Sequence, residues 1–213
     1  MSSVSKPGCV PVPRAEFFSR VGLFTLQGFL DAKTCARLRA QAAGAKKVPG
    51  AVGSEGDEYR IDRASRRTGI ADVPDSTQRV VAGRLSAVIP DIARHFGIEV
   101  EGRQSLQFLV YKKGDFFEAH RDRNESEGAA SFSLRRLVSV VAFLNDESEE
   151  PREGSYGGGS LTFYGLLGGN RGKQVGLPLV GEAGLLVAFD SRTTHSVTPI
   201  THGERYTVVT WLV

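Results

Sequence analysis

The sequence predicts a mainly β fold, a sandwich or jelly roll, with N-terminal helices packed on one sheet. Three observations carry this. Apolar residues recur at helical spacing only in the first half of the chain. After Gly102 the texture changes to seven short apolar runs, each bounded by Gly, Pro, Asn or Asp. Glycine makes up 25 of the 213 residues, well above the ~7% of an average protein, and the excess punctuates those runs as turns. Helices first and strands after suggest a sheet pair covered by helices on one side.

Taken in order, residues 1–13 read as a loose arm, with Pro7, Pro11 and Pro13 among small polar residues. The β-rich run 21–26 ends at Gly28. Asp31 is placed as the N-cap of a helix to about residue 43, with Cys35 and Leu38 on one face. Residues 53–74 are polar and carry Arg60, Arg63, Arg66 and Arg67, with Asp62 the one acid between them. Asp75 is read as the cap of a longer helix in which Val81, Leu85, Val88, Ile89, Ile92 and Phe96 share a face. Gly97 stops it, and Pro90 is expected to kink or split it. Strands are expected at 105–111, 115–120, 137–145, 160–164, 174–180, 184–190 and 206–213. Two loops stand out, the polar 121–134 and the acidic, then Gly-rich 146–159. No internal repeat is visible. The chain reads as a single domain over 1–213: an arm at 1–13, a helical support region at 14–104 and a jelly-roll core at 105–213.

Composition narrows the function classes. Apolar residues are 40% and charged residues 24%, ordinary for a globular protein, which excludes disorder throughout and a collagen-like fibre. Two cysteines, Cys9 and Cys35, cannot staple a fold of this size, so a reducing compartment is the simpler reading and a cytoplasmic location is expected. No apolar run approaches the ~20 residues that span a bilayer, and no secretory signal is visible. A net charge of +3 is weak support for a nucleic-acid partner.

The chemistry concentrates on a few side chains. There are four histidines. His120 stands two residues before Asp122, and on an extended strand such positions share a face. An imidazole and a carboxylate there can take adjacent positions on one metal. His195, just past the apolar run 184–190, is the candidate third ligand. Two histidines and one carboxylate on one face of an octahedron leave three positions open, which suits non-haem Fe(II). Four histidines would produce an H-x-[DE] by chance about 0.4 times, so the tripeptide alone is weak. A second one, His202-Gly203-Glu204, reads as a turn, and His95 as a histidine at the negative end of a helix dipole. Arg205 opens the final apolar run. A buried arginine there needs an anion, and a guanidinium can grip a carboxylate with two parallel hydrogen bonds. Thr207, two residues on, can add a hydroxyl. A surface arginine at a strand end is the plainer alternative.

An ordered set of pieces then carries a resemblance. They are Gln107-Phe108-Leu109-Val110-Tyr111, then Gly114 through His120-x-Asp122, and Val141-Ala142-Phe143-Leu144-Asn145. Next come Gly158-Gly159-Ser160-Leu161, Phe189-Asp190 followed by His195, and Gly203-Glu204-Arg205-Tyr206 on to Trp211. Over about residues 105–213 this resembles the Fe(II)/2-oxoglutarate-dependent oxygenases, in their prolyl 4-hydroxylase-like branch. The resemblance implies a double-stranded β-helix with the metal between its sheets. It implies His120, Asp122 and His195 as catalytic iron ligands, Arg205 on the distal carboxylate of 2-oxoglutarate, and Tyr111 as a hydroxyl donor to it. Fe(II), 2-oxoglutarate as co-substrate and dioxygen are the implied cofactors. Some relatives carry a tyrosine in the strand before Leu144-Asn145, where this chain has Ala142-Phe143.

The implied activity is hydroxylation of an unactivated C–H bond, coupled to decarboxylation of 2-oxoglutarate to succinate. The favoured substrate is a prolyl or other residue in a protein or peptide, with a free amino acid or small metabolite as the alternative. No membrane partner is expected. Nucleic-acid demethylation is disfavoured, because relatives with that activity carry a second arginine where this chain has Trp211. The stretch Arg60–Arg67 would suit an acidic or phosphate-bearing substrate, although a solvated charged face is the plainer account. Two other classes compete. A cupin would want a histidine in place of Asp122, and a non-catalytic binding module would not need His120, Asp122, His195 and Arg205 intact.

Overall fold

The computed structural model describes residues 15–53, 59–123, 131–172 and 174–213. The expected arm 1–13 and Cys9 lie outside the described residues, as does the middle of the polar loop 121–134. The chain begins with α1 (Ala15–Arg20), β1 (Phe24–Leu26) and α2 (Ala32–Gly44). Five short strands follow: β2 (Lys47–Pro49), β3 (Val52–Gly53), β4 (Tyr59–Arg60), β5 (Arg66–Arg67) and β6 (Gly69–Ala71). The long α3 (Asp75–Phe96) leads to β7 (Gln107–Tyr111), β8 (Phe116–His120), the one-turn α4 (Ser131–Leu134) and β9 (Val138–Phe143). The remainder is β10 (Tyr156–Gly158), β11 (Leu161–Tyr164), α5 (Gly169–Gly172), β12 (Gly176–Leu179), β13 (Leu186–Asp190), β14 (His195–Val197), β15 (Ile200–Gly203) and β16 (Arg205–Leu212).

These strands form two main antiparallel sheets. The larger has seven strands in the order β1-β13-β9-β16-β7-β6-β2, and the smaller has five, β12-β11-β14-β8-β5. β16 lies at the centre of the larger sheet, between β9 and β7. All eight of its residues are buried, and its alternation divides the core into two layers. Tyr206, Val208 and Leu212 join Leu38 of α2 and Leu85 and Ile92 of α3 in the layer under the helices. Val209 and Trp211 join Tyr111, Phe143, Phe163 and Phe189 in the layer between the sheets. That second layer also receives Arg205 and Thr207, at 2% and 1% exposure.

The helices follow their sequence signals with two differences. Asp31 caps α2 as expected, its carboxylate accepting hydrogen bonds from the Thr34 N–H and hydroxyl, both at 2.8 Å. Gly97, at φ 63°, ends α3 in the left-handed conformation that glycine adopts without strain. Asp75 does not cap α3. Pro74 is the N-cap, and Asp75 sits in the first turn, where a carboxylate still meets the positive end of the dipole. Nor does Pro90 split the helix, which runs unbroken to Phe96. Pro90 is on the exposed face, where water can satisfy the carbonyl it leaves free.

The β content differs from expectation in detail. The support region 14–104 is not purely helical: β1, β2 and β6 extend the large sheet, and β5 extends the small one. The segment read as a turn around His202 is β15, paired with β10 outside both main sheets. β14, with His195, is a strand of its own. Most of these strands have two to four residues, too few for alternation to be read along the sequence. Cys35 is a free, buried thiol, pushed up to about 11 by burial.

Candidate metal centre and buried anion pocket

β8 and β14 are antiparallel neighbours in the smaller sheet, and their register sets His120 opposite His195. Asp122 follows β8 by two residues and turns back between them. Its two carboxylate oxygens lie 3.6 Å from His120 Nε2 and 3.6 Å from His195 Nε2. One ligand atom from each of the three residues falls within 4.8 Å of the others. Among the described residues this is the one such cluster of three or more.

Backbone carbonyls choose the tautomers. His120 Nδ1–H donates to the Glu118 carbonyl at 2.8 Å, and His195 Nδ1–H donates to the Thr193 carbonyl at 2.9 Å. Each imidazole therefore turns the lone pair of Nε2 inward, the orientation a ligating histidine needs. The carboxylate is oriented in turn. Ser139 donates to Asp122 Oδ2 at 2.7 Å, Ser191 stands 2.9 Å from Ser139, and Arg136 reaches the Asp122 carbonyl at 3.3 Å.

Burial by itself would raise the Asp122 carboxyl, but His195, His120 and the Ser139 hydrogen bond outweigh it and hold it well below the usual carboxylate range. Burial, reinforced by His120, pushes the His195 imidazole down to about 4. The resting cluster is one carboxylate and a neutral His195 ready to ligate. Phe117 stacks on His120 with ring centroids 3.5 Å apart, and Phe189 meets His195 edge-on at 4.7 Å. These rings form an apolar collar on the two imidazoles, with the His120 side chain still 20% exposed. Two nitrogens and a carboxylate oxygen, with no thiolate, are a donor set that fits Fe(II).

Arg205 lies deeper between the sheets. Its guanidinium packs over the Tyr111 and Phe143 rings at 5.2 and 5.1 Å. Nη1 donates to Thr207 Oγ1 at 3.4 Å, and Nε has no hydrogen-bond partner. Among the described residues no carboxylate stands within ion-pair distance of it. A buried cation so placed is ready for an anion. The sequence-derived candidates thus fall into two groups: His120, Asp122 and His195 meet at one point, and Thr207 and Tyr111 both adjoin the Arg205 guanidinium.

Some neighbours carried little sequence signal. Ser139 and Ser191, which orient Asp122, show only as single polar residues, one inside a buried strand and one just after another. Tyr156 is fully buried, with its hydroxyl unpartnered. Glu147 is held by Ser160 at 2.5 Å and by the Gly181 N–H at 3.2 Å. In the basic stretch Arg60, Arg63 and Arg67 are exposed, as the solvated-face account expects, and Arg66 alone departs from it. Arg66 is not on a solvated face: it is 8% exposed, donates to the Ala51 carbonyl at 2.8 Å and lies over the Phe117 ring at 4.7 Å. With Lys47, Arg63, Arg67 and Lys112 it lines a cleft of about 310 Å³. His202 and His95 stand outside the cluster, and His95 Nε2 bonds the Gly22 carbonyl at 3.3 Å.

Comparison with known proteins agrees with this geometry. The profile of the 2OG-Fe(II) oxygenase superfamily matches residues 106–213. A PKHD-type hydroxylase of Rhizorhabdus wittichii is 31% identical over 106 residues, covering 49% of this chain and 41% of that protein. The chain spans less than half the length of the first curated relatives it matches. Among solved structures, a Pseudomonas putida prolyl-4-hydroxylase superposes with a TM-score of 0.64 at 23% identity, over 92% of this chain and 95% of that one. A Trichoplax adhaerens prolyl hydroxylase, in complex with a hypoxia inducible factor peptide fragment, gives 0.63 at 20% identity, over 92% and 86%. The fold they share with this chain is the double-stranded β-helix. Among the described residues, no helix is long and apolar enough to cross a membrane.

Proposed function

We propose that this chain, which belongs to the 2OG-Fe(II) oxygenase superfamily, is a dioxygenase that hydroxylates an unactivated C–H bond of a prolyl or other residue in a protein or peptide. Membership implies Fe(II), 2-oxoglutarate and dioxygen. The balanced reaction consumes 2-oxoglutarate, dioxygen and a C–H bond, and yields succinate, carbon dioxide and an alcohol. Bound iron would supply the activation of dioxygen; the protein positions the reactants and excludes competing chemistry.

The single observation that carries this reading is the cluster of two inward-turned Nε2 atoms and one oriented carboxylate. His120, Asp122 and His195 would hold the iron. Ser139 and Ser191 fix the carboxylate, and the Glu118 and Thr193 carbonyls hold the imidazole tautomers. Arg205 neutralises the far carboxylate of 2-oxoglutarate. Thr207 steadies the guanidinium and keeps its own hydrogen for the ligand, and Tyr111 offers a hydroxyl on the adjacent strand. Phe117, Phe163 and Phe189 keep the reacting atoms dry.

Two features favour a peptide substrate. The Trichoplax neighbour was solved with a peptide fragment. The basic cleft shares Arg66 with the ring of Phe117, which stacks on His120, and its cationic lining would suit an acidic peptide segment. The test is succinate release under air with Fe(II) and 2-oxoglutarate, against prolyl peptides and free amino acids. Release stimulated by a peptide supports the reading. Stimulation by a free amino acid alone moves the substrate to that class, and no turnover of 2-oxoglutarate under any condition overturns the proposal.

A further inference from the structure

The pocket around Arg205 holds a second group that the roles above leave unused. Tyr156 opens β10, the short strand paired with β15 outside both main sheets. Its side chain is at 0% exposure, and its Oη has no hydrogen-bond partner. Two glycines locate it. A Cβ added at Gly159 would lie 3.1 Å from Arg205 Cδ and 3.3 Å from Tyr156 Cε2, so the two side chains flank that residue. A Cβ added at Gly181 would collide with Tyr156 Oη and stand 2.7 Å from Phe143 Cδ1. Phe143 is one of the two rings beneath the guanidinium. Tyr156 Oη therefore reaches the same wall of the pocket as Arg205.

The nearby carboxylate is already committed. Both Glu147 oxygens are taken, one by Ser160 and one by the Gly181 N–H. What remains is a buried cation with a free Nε–H and a buried phenol with a free O–H. Both are donors, and neither meets an acceptor in hydrogen-bond geometry, although the guanidinium lies close enough to Tyr156 Oη to interact with it. Buried polar groups are hydrogen-bonded in nearly all native structures. Two orphaned donors on one wall call for a ligand with at least two acceptor oxygens and a negative charge. Burial raises the Tyr156 hydroxyl above its ordinary range against the pull of Arg205, so it keeps its proton and serves as a donor.

We infer that Tyr156 is a further donor to the far carboxylate of 2-oxoglutarate, its O–H sharing that group with Arg205. This rests on the function proposed above and adds a positioning residue to it. The hydroxyl comes from a strand outside the two main sheets, so the anion seat is closed by the β10–β15 ribbon.

The test is a titration of 2-oxoglutarate into protein loaded anaerobically with Fe(II), for wild type and Tyr156→Phe, followed by calorimetry. The ring is retained and only the oxygen is lost. Losing one hydrogen bond to a charged group should weaken 2-oxoglutarate binding about tenfold or more, with the affinity for Fe(II) unchanged. A 2-oxo acid without a second carboxylate, 2-oxobutyrate, should bind wild type and variant alike; a general loss of packing would weaken both ligands together. Unchanged 2-oxoglutarate affinity in a folded Tyr156→Phe overturns the inference and leaves the proposed function standing. Wild type that binds no 2-oxoglutarate overturns the function itself. Should the variant not fold, Tyr111→Phe labelled with ¹³Cζ-tyrosine decides, because Tyr111 could otherwise answer for the same ligand: 2-oxoglutarate should shift a buried tyrosine resonance that 2-oxobutyrate leaves in place, and identical spectra with the two ligands would contradict the assignment.

Discussion

Each side chain of the proposed metal centre is held by a neighbour that leaves one useful atom free. His120 and His195 spend Nδ1 on backbone carbonyls, and Asp122 is braced by Ser139. His120→Ala should abolish Fe(II) binding, measured as metal content after desalting. Ser139→Ala should lower iron affinity roughly 10–100-fold, the usual cost of losing a ligand's supporting hydrogen bond, and an unchanged affinity would show that the hydroxyl does not brace the carboxylate. Arg205→Ala should raise the 2-oxoglutarate requirement strongly and leave iron binding intact. The His120 and Asp122 pair was legible because positions two apart on a strand share a face. Ser139 was not, because nothing in a run of apolar residues says what a lone hydroxyl faces. The missing tyrosine in the strand before Leu144 was legible too. That a hydroxyl reaches the same pocket from Tyr156 was not, since it depends on how β10 folds over.

Helices α2 and α3 were readable from caps and periodicity, and their predictions belong to whole elements. Ile92 is at 0% exposure in the layer under the helices, so Ile92→Ala should cost about 2–5 kcal/mol in a denaturant titration. Asp31 caps α2, and its carboxyl is held below the ordinary value by hydrogen bonds from Thr34. A lowered native value means that the cap stabilises above the unfolded-state pKa and loses its contribution as pH falls through the native one. Asp31→Ala should therefore lower the thermal midpoint at neutral pH, and the gap to wild type should close in acid. A gap independent of pH would mean that the carboxylate charge is not what caps the helix. The short strands β2 to β6, β14 and β15 escaped sequence reading for one reason. A strand of two to four residues is defined by the neighbour it pairs with, and pairing is a long-range fact.

At the scale of the molecule, one strand organises everything. β16 turns apolar side chains to the helices on one face and carries Arg205, Thr207 and Trp211 into the space between the sheets on the other. The five-stranded sheet then delivers His120 and His195 in register from strands 75 residues apart in sequence. The order of the motifs and the alternation within β16 were visible in the sequence, and so the jelly roll and the candidate residues could be read from it. The closure of the pocket by the β10–β15 ribbon and the burial of Arg66 against Phe117 could not, because both depend on the packing of distant segments. The central claim is that three distant side chains hold one iron whose co-substrate is gripped by Arg205. Anaerobic titration of 2-oxoglutarate into wild type and His195→Ala, with and without Fe(II), tests it most directly. The account predicts tight binding only to iron-loaded wild type; equal binding by the variant, or by the metal-free protein, would contradict it.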